Sequence, residues 1–307
     1  MTITVLTTRP LPLPELKLGD QPIRFTVLGS GEGADARALL ATALDPVNAA
    51  TIAALPGSVG LIANLGVGTD NIDLAAAAAR GIRVSNTPVV TEDTADQAFA
   101  LILAACRRTA QADRFVRSGE WEAGKAFAPG LRVHGARLGI VGFGAIGQAV
   151  ARRAGGFGMQ VSYWARAAKP EGEVLGARHI AALEQLVAES DIVSIHVPLT
   201  DDTHHLFDAA LLSRFKPGAV LVNTARGAVV DEAALVAALE SGAVGAAGLD
   251  VFEDEPRVHP GLLAIGSVVL APHAGSATQA CRADMAARVI GNLMRYLETG
   301  EPVDRVI

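Results

Sequence analysis

The sequence predicts an α/β protein with mainly parallel sheets, divided into two domains. Three observations carry this. Apolar runs of strand length alternate with Ala-rich helical stretches through most of the chain, which is the pattern of βαβ units. The length of 307 residues suits two domains of roughly 150 residues each. A segment rich in Gly, Pro and aromatic residues, Gly119 to Gly135 with Trp121, Phe127 and Pro129, interrupts the alternation and reads as a connector between domains.

The first strands are Ile3 to Leu6, Phe25 to Leu28 and Val59 to Asn64. Asp70 to Ala79 reads as a helix with Asp70 as its N-cap. Gly81 stands at the C-cap position, and Ile82 to Val84 is the next short strand. Together these segments form a small α/β unit. A long helix starts near Thr94 and runs past Cys106. Beyond the connector, Leu138 to Val141 is a strand, Gly142 opens a turn, and Ala145 to Ala154 is a helix closed by Gly155 and Gly156. Further strands are Gln160 to Tyr163, Asp191 to Val197 stopped by Pro198, and Ala219 to Asn223 after the Lys216-Pro217-Gly218 turn. Asp231 caps a helix that ends near Gly242, and Ala246 to Val251 and Val268 to Leu270 complete the strands. Ser276 can cap a final helix running to about Glu298.

Composition removes several classes of function. Half the residues are apolar and 19% are charged, so a packed core forms and wholesale disorder does not. Lys and Arg number 26 against 32 Asp and Glu, a net charge of −6. That argues against nucleic acid as a partner while leaving room for a local basic pocket. The N-terminus lacks a signal-peptide pattern. The most apolar long stretch, Ala98 to Cys106, is far shorter than the roughly 20 residues of a bilayer span. The expectation is a cytoplasmic protein with no membrane partner. Cys106 and Cys281 are too few for a disulfide framework or a four-ligand zinc site, and Cys106 reads as core. His204 and His205 are adjacent and do not share a helix face. His134, His179, His196 and His259 show no ligand spacing, so no metal is expected.

Chemistry enters at Gly142 to Gly147, GFGAIG, which fits G-x-G-x-x-G. The motif follows the apolar strand LGIV and opens a helix, the setting that makes it specific for a dinucleotide. Gly142 permits the tight turn, Gly144 lets the backbone approach a pyrophosphate, and Gly147 allows helix and strand to pack closely. With Ala145 and Ile146 they present the helix N-terminus to phosphates. A Rossmann-type doubly wound sheet follows as the expectation for this domain. An NAD site usually has an acid about 20 residues on, for the ribose 2′-OH. Here the window reads Ser162, Tyr163, Trp164, Ala165, Arg166, without an acid, and Lys169 lies close by. A guanidinium at Arg166 suits the 2′-phosphate of NADP. NADP is therefore the expected cofactor, with NAD as the alternative and Arg166 as an ordinary surface charge in that case.

Arg226 in NTARG, Glu255 in DVFEDEP and His273 in LAPHAGSAT follow three successive strands. Ligands of open parallel sheets bind beyond the carboxyl ends of the strands, so all three share an edge with the glycine turn. Singly, each has an ordinary structural reading as ion pair, solvated charge or hydrogen bonder.

At this point the chain resembles the D-isomer-specific 2-hydroxyacid dehydrogenase family, most strongly its glyoxylate and hydroxypyruvate reductase branch. The segments that carry the likeness are LGVGTDNID, SNTPVVTEDTADQAFALIL, LGIVGFGAIGQAVARR, HVPLT, NTARGAVVDEAALVAAL, GLDVFEDEP and LAPHAGSAT, in the family's order over nearly the whole chain. The resemblance implies that His273 is the general acid, that Glu255 orients it and stabilises the imidazolium, and that Arg226 binds the substrate carboxylate and polarises the carbonyl. It implies substrate contacts from Leu65, Gly66, Val67 and Gly68, whose backbone N–H groups would form an anion nest. It implies cofactor contacts from Thr94, Val197, Pro198, Thr224, Ala225, Asp250 and Gly275. Leu61 to Ala79 holds no Lys or Arg, which argues against a phosphorylated substrate and for a small 2-keto acid such as glyoxylate or hydroxypyruvate.

The resemblance further implies a Rossmann-type domain, residues 97–276, inserted into a smaller flavodoxin-like substrate domain, residues 1–96 and 277–307. A homodimer is expected through the nucleotide domain. Phe127 would then enter the partner subunit's site, as the connector aromatic does in some members, or simply cover apolar surface. Two other readings stay open. One is a dinucleotide-sensing, corepressor-like binding protein. The other is a different dehydrogenase of the family, for formate or phosphite, although Pro272 before His273 argues against formate.

Overall fold

The computed structural model describes residues 2–307. The chain forms two compact units, one from the residues up to Val90 with Thr278–Ile307, the other Thr91–Ala277. The first unit holds a six-stranded sheet of β1 (Ile3–Thr7), β2 (Leu16–Leu18), β3 (Gln21–Val27), β4 (Ala38–Thr42), β5 (Leu61–Leu65) and β6 (Arg83–Ser85). Its order is β2-β3-β1-β4-β5-β6, and every pairing is parallel except β2 with β3. Without the antiparallel edge strand this is the flavodoxin-like order. Both faces are covered, which is why strands such as ALLAT and LIANL are apolar throughout rather than alternating. Leu6, Leu39 and Ile62 pack on one face with Ile52 and Ala77 of the helices Ala49–Ala54 and Leu74–Ala79. Val5, Leu40 and Leu61 pack on the other with Val289, Leu293 and Tyr296 of the helix Gln279–Thr299.

The second unit carries seven parallel strands, β7 (Arg137–Val141), β8 (Gln160–Trp164), β9 (Arg178–His179), β10 (Ile192–Ile195), β11 (Val220–Asn223), β12 (Ala246–Leu249) and β13 (Val268–Leu270). The order is β13-β12-β11-β10-β7-β8-β9, so the chain winds outward from β7 in both directions, as in a Rossmann sheet. The helices Thr91–Arg107 and Ala145–Gly156 cover one face through Ala98, Ile102, Ala149 and Val150. Leu183–Glu189 and Glu232–Ser241 cover the other through Leu186, Val187, Leu235 and Leu239. Because the strands are parallel, all seven carboxyl ends lie along one edge. Among the described residues no helix is long and apolar enough to cross a membrane, and no group of His, Cys, Asp and Glu could hold a metal.

Several element ends differ from the sequence reading. The helix expected from Asp70 begins at Leu74, because Asp73 is the residue whose carboxylate accepts an N–H, that of Ala76. The final helix is capped by Thr278 rather than Ser276, its side chain accepting from Cys281. The helix after the glycine turn continues through Gly155 and Gly156, and the left-handed turn falls at Gly158. The long helix starts at Thr91, and a second helix, Thr109–Arg117, precedes the connector.

Candidate active site

β7 ends at Val141, and Gly142 turns the chain at φ 95°, a left-handed conformation open to glycine. A Cβ there would fall 2.6 Å from the carbonyl carbon and oxygen of His196. At Gly147 it would fall 2.2 Å from the Gly142 oxygen, so the helix packs directly on the turn. Gly144 differs: a Cβ there meets nothing within 4 Å. It is also the N-cap of Ala145–Gly156 and provides no side-chain cap. The first amide N–H groups of that helix therefore face open space over a Cβ-free backbone. This cradle fits a dinucleotide pyrophosphate, with Gly142, Gly144, Ala145, Ile146 and Gly147 around it.

The neighbouring strand ends continue the edge. After β8, the Ala165 carbonyl accepts from His179 Nε2 at 3.2 Å, and Arg166 is exposed to solvent. After β10 come His196, buried Val197 and exposed Pro198. Burial pushes the His196 imidazole down to about 4, which leaves a neutral ring at 2.8 Å from Ser194 Oγ. After β11, the buried Asn223 amide ties its own turn, accepting from Ala225 N–H at 3.0 Å and donating to Arg226 O at 2.8 Å. Thr224 is 7% exposed and its hydroxyl has no protein partner among the described residues, so it has hydrogen-bonding capacity left for a ligand.

After β12, the buried Asp250 carboxylate accepts N–H groups from Ala274 at 2.7 Å and Gly275 at 2.8 Å. Burial pushes this carboxyl up, and those two N–H groups only partly offset it. A Cβ at Gly275 would lie 3.2 Å from Asp250 Oδ2 and 3.5 Å from Thr94 Oγ1. Thr94, Asp250 and Gly275 thus form one cluster.

The loops after β12 and β13 bring Glu255 and His273 together across 18 positions of sequence, with His273 Nδ1 at 2.7 Å from Glu255 Oε2. His273 stands at φ 51°, in a left-handed conformation that is uncommon for a residue with a Cβ. Its N–H is held by the oxygens of Asp250 at 2.7 Å and Ala271 at 3.1 Å. Glu255 Oε1 accepts from Phe252 N–H at 3.0 Å. Burial pushes the Glu255 carboxyl up, but hydrogen bonds from His273 and Phe252 and the charges of His273 and Arg226 outweigh it, so the group sits below the ordinary carboxylate range. The carboxylate is ionised at neutral pH and engages Nδ1, which directs Nε2 away from it. Arg226 contributes a guanidinium whose field reaches Glu255.

The domain model described as "D-isomer specific 2-hydroxyacid dehydrogenase, NAD binding domain" matches residues 99–275. The chain belongs to the D-isomer-specific 2-hydroxyacid dehydrogenase family. It is 50% identical to the glyoxylate reductase of Thermococcus litoralis, over 80% of this chain and 76% of that one. Its fold is similar to the crystal structure of a glyoxylate reductase from Paecilomyes thermophila, at TM-score 0.90 and 36% identity, covering 99% of this chain and 98% of that one. It is also similar to an NADPH-dependent glyoxylate/hydroxypyruvate reductase from Sinorhizobium meliloti in complex with NADP and malonate, at TM-score 0.89 and 34% identity, covering 99% and 96%. As a member of this dehydrogenase family the protein is an NAD(P)-dependent oxidoreductase that interconverts keto acids and hydroxy acids.

In the other unit, the loop Leu65–Gly68 follows β5. Its carbonyls are tied: Gly66 O by Thr87 N–H at 3.0 Å, Val67 O by Asn86 Nδ2 at 2.8 Å, and Gly68 O by buried Asn64 Nδ2 at 2.7 Å. The sequence reading missed Asn64, Asn86, Asn223 and Glu232 as residues that shape these loops. Only Asn223, directly before Thr224-Ala225-Arg226, carried a positional signal.

Proposed function

We propose that this dehydrogenase reduces small 2-keto acids, glyoxylate and hydroxypyruvate in the first place, to D-2-hydroxy acids with NADPH. One observation carries the reading. At the ligand-binding edge of a Rossmann sheet, an ionised Glu255 holds Nδ1 of His273, and an arginine follows the adjacent strand. When bound, the nicotinamide supplies the hydride to C2 of the keto acid. His273 delivers a proton from Nε2 to the carbonyl oxygen, so the C=O π bond breaks as C–H and O–H bonds form. Glu255 balances the imidazolium before transfer and fixes the tautomer after it. Arg226 pairs with the substrate carboxylate and polarises the carbonyl. In the oxidative direction His273 is the base.

Val67 and Gly68 contribute backbone N–H groups to the substrate carboxylate, a role supported by the tethering of their carbonyls; the Gly66 N–H is instead held by Thr87 Oγ1 at 2.8 Å, so Leu65 and Gly66 shape the loop beside the substrate. Thr94, Thr224, Ala225, Asp250 and Gly275 take the nicotinamide end of the cofactor, and Val197 and Pro198 take the adenosine side. Arg166 pairs with the 2′-phosphate. This is supported by its exposure and by the missing acid at the end of β8. A homodimer is supported by exposed Val116, Trp121, Phe127 and Leu131, an apolar group of the kind subunit interfaces cover. Phe127 packs at a tilt against Phe115, with ring centroids 5.3 Å apart at 53°, and lies under Arg108 of its own chain.

The test is a panel of keto acids with NADPH and NADH, followed by loss of absorbance at 340 nm. Turnover of glyoxylate with a preference of about tenfold or more for NADPH is expected, the size of one charge-assisted hydrogen bond. No turnover of any 2-keto acid would overturn the reading, and a preference for NADH would remove Arg166 from it. Sedimentation equilibrium of the purified protein checks the dimer.

A further inference from the structure

Glu255 sits on a loop whose other residues Glu253, Asp254, Pro256 and Arg257 are exposed. A catalytic carboxylate on such a loop needs an anchor. Glu232, the first residue of the helix Glu232–Ser241, is only 6% exposed, and its Oε1 accepts the backbone N–H of Glu253 at 3.1 Å. Its own helix does not need it there, because the cap is already made by Asp231, which accepts Ala234 N–H at 2.9 Å. Burial pushes the Glu232 carboxyl up and the charge of Glu253 adds to this, whereas the backbone N–H groups of Glu253 and His259 and the His259 ring favour its ionised form. A buried carboxylate with no duty in its own helix is costly unless its partners use it.

The anchor joins the active site through successive peptides. Glu253 N–H goes to Glu232, and the preceding Phe252 N–H goes to Glu255 Oε1. The Glu253 side chain turns outward to His205 Nε2 at 2.5 Å. Gly227, next to Arg226, lies so close beneath the same peptide that a Cβ would fall 1.9 Å from the Phe252 carbonyl carbon. We propose that Glu232 is a positioning residue for the Glu255–His273 pair, its carboxylate fixing the Phe252–Glu253 peptides so that Glu255 stays in reach of Nδ1. This rests on the reading of that pair as the proton-transfer machinery. Glutamine at 232 presents one acceptor and one NH2 where the carboxylate offers two acceptors, so a backbone N–H loses its partner and the loop slackens.

The experiment compares Glu232→Gln with Asp231→Ala, which weakens the same helix end without touching the loop, in the full chain with glyoxylate and NADPH. Glu232→Gln lowers kcat about 10- to 100-fold, the effect of a small misplacement of a catalytic group, and leaves KM for glyoxylate within about twofold. The downfield proton NMR signal of the His273 Nδ1–H, read without substrate, weakens or moves upfield. Asp231→Ala lowers Tm and leaves kcat and the NMR signal in place. If Glu232→Gln yields no folded protein, Glu232→Asp, which withdraws the carboxylate by one methylene, is read in the same way. Retained kcat with an unchanged His273 signal overturns the proposal, as does equal loss of kcat in Asp231→Ala. His273→Gln and Glu255→Gln run alongside: if both keep full activity, the reading of the pair fails, and the NMR signal alone then decides whether Glu232 positions the loop.

Discussion

Replacing Gly144, Gly147 and Gly155 one at a time, at and along the helix Ala145–Gly156, separates packing from phosphate binding. Ala at Gly147 puts a methyl 2.2 Å from the Gly142 oxygen and 3.2 Å from Ile140 Cγ2, where ordinary contact begins at 3.4 Å. The helix must withdraw by about 1 Å to relieve this, since a packed interior does not yield locally. Overpacking of this kind costs about 1–3 kcal/mol, offset by up to about 1 kcal/mol from better helix propensity. The same withdrawal stretches amide–phosphate hydrogen bonds past their useful range. Losing one charge-assisted bond of about 1.5–3 kcal/mol weakens NADPH binding about 10- to 100-fold. Gly144→Ala meets nothing within 4 Å and has φ −79°, so the free protein keeps its Tm while the methyl blocks the pyrophosphate and affinity falls comparably. Gly155→Ala also meets nothing and raises stability by up to about 1 kcal/mol with affinity unchanged. Urea denaturation and calorimetric titration with NADPH read both quantities. Wild-type NADPH affinity in Gly147→Ala or in Gly144→Ala would refute the placement of the cofactor over this turn.

Other expectations are narrower. Arg226→Ala lowers kcat/KM for glyoxylate about 100- to 1000-fold, with Arg226→Lys between it and wild type; steady-state kinetics within a few-fold of wild type would remove Arg226 from the site. Arg166→Ala weakens NADPH about tenfold and leaves NADH unchanged, and equal losses for both cofactors in fluorescence titrations would show that the guanidinium does not read the 2′-phosphate. His196, held neutral down to about 4 from an ordinary 6.5, binds its proton more readily in the unfolded chain. Its contribution to stability is complete above pH 6.5 and is lost as pH falls towards 4, by at most about 3 kcal/mol because the residue keeps some solvent contact. The difference in urea midpoint between wild type and His196→Gln from pH 7 to 4.5 measures this, and parallel curves would contradict it.

The strand ends that build the site were legible because each chemical residue follows a short apolar run that Gly or Pro punctuates, as in LGIVG and VLAPH. Parallel winding then brings Glu255 and His273 together from adjacent strands, a consequence of topology that spacing alone does not contain. The edge strand β2, its hairpin with β3 (of which only the end, from Phe25 on, falls within the strand read from the sequence) and the strand β4 were not legible. LKL is too short to show a period, and in ALLAT burial on both faces erases alternation. The choice of Asp73 over Asp70 is a matter of which carboxylate reaches an N–H three residues on, and both have the right chemistry. Glu232 stands where a first-turn acid of a helix is ordinary; only its burial and its bond to Glu253 reveal another duty.

The return of the helix Gln279–Thr299 to the sheet of β1–β6 bears on how the chain is made. Translation delivers Thr91–Ala277 complete before this helix leaves the ribosome, so the unit begun second is the first able to finish folding. Until then Val5, Leu40 and Leu61 face solvent or a chaperone instead of Val289 and Leu293. Stalling or truncation late in synthesis therefore exposes a sticky sheet surface on the half that was started earliest.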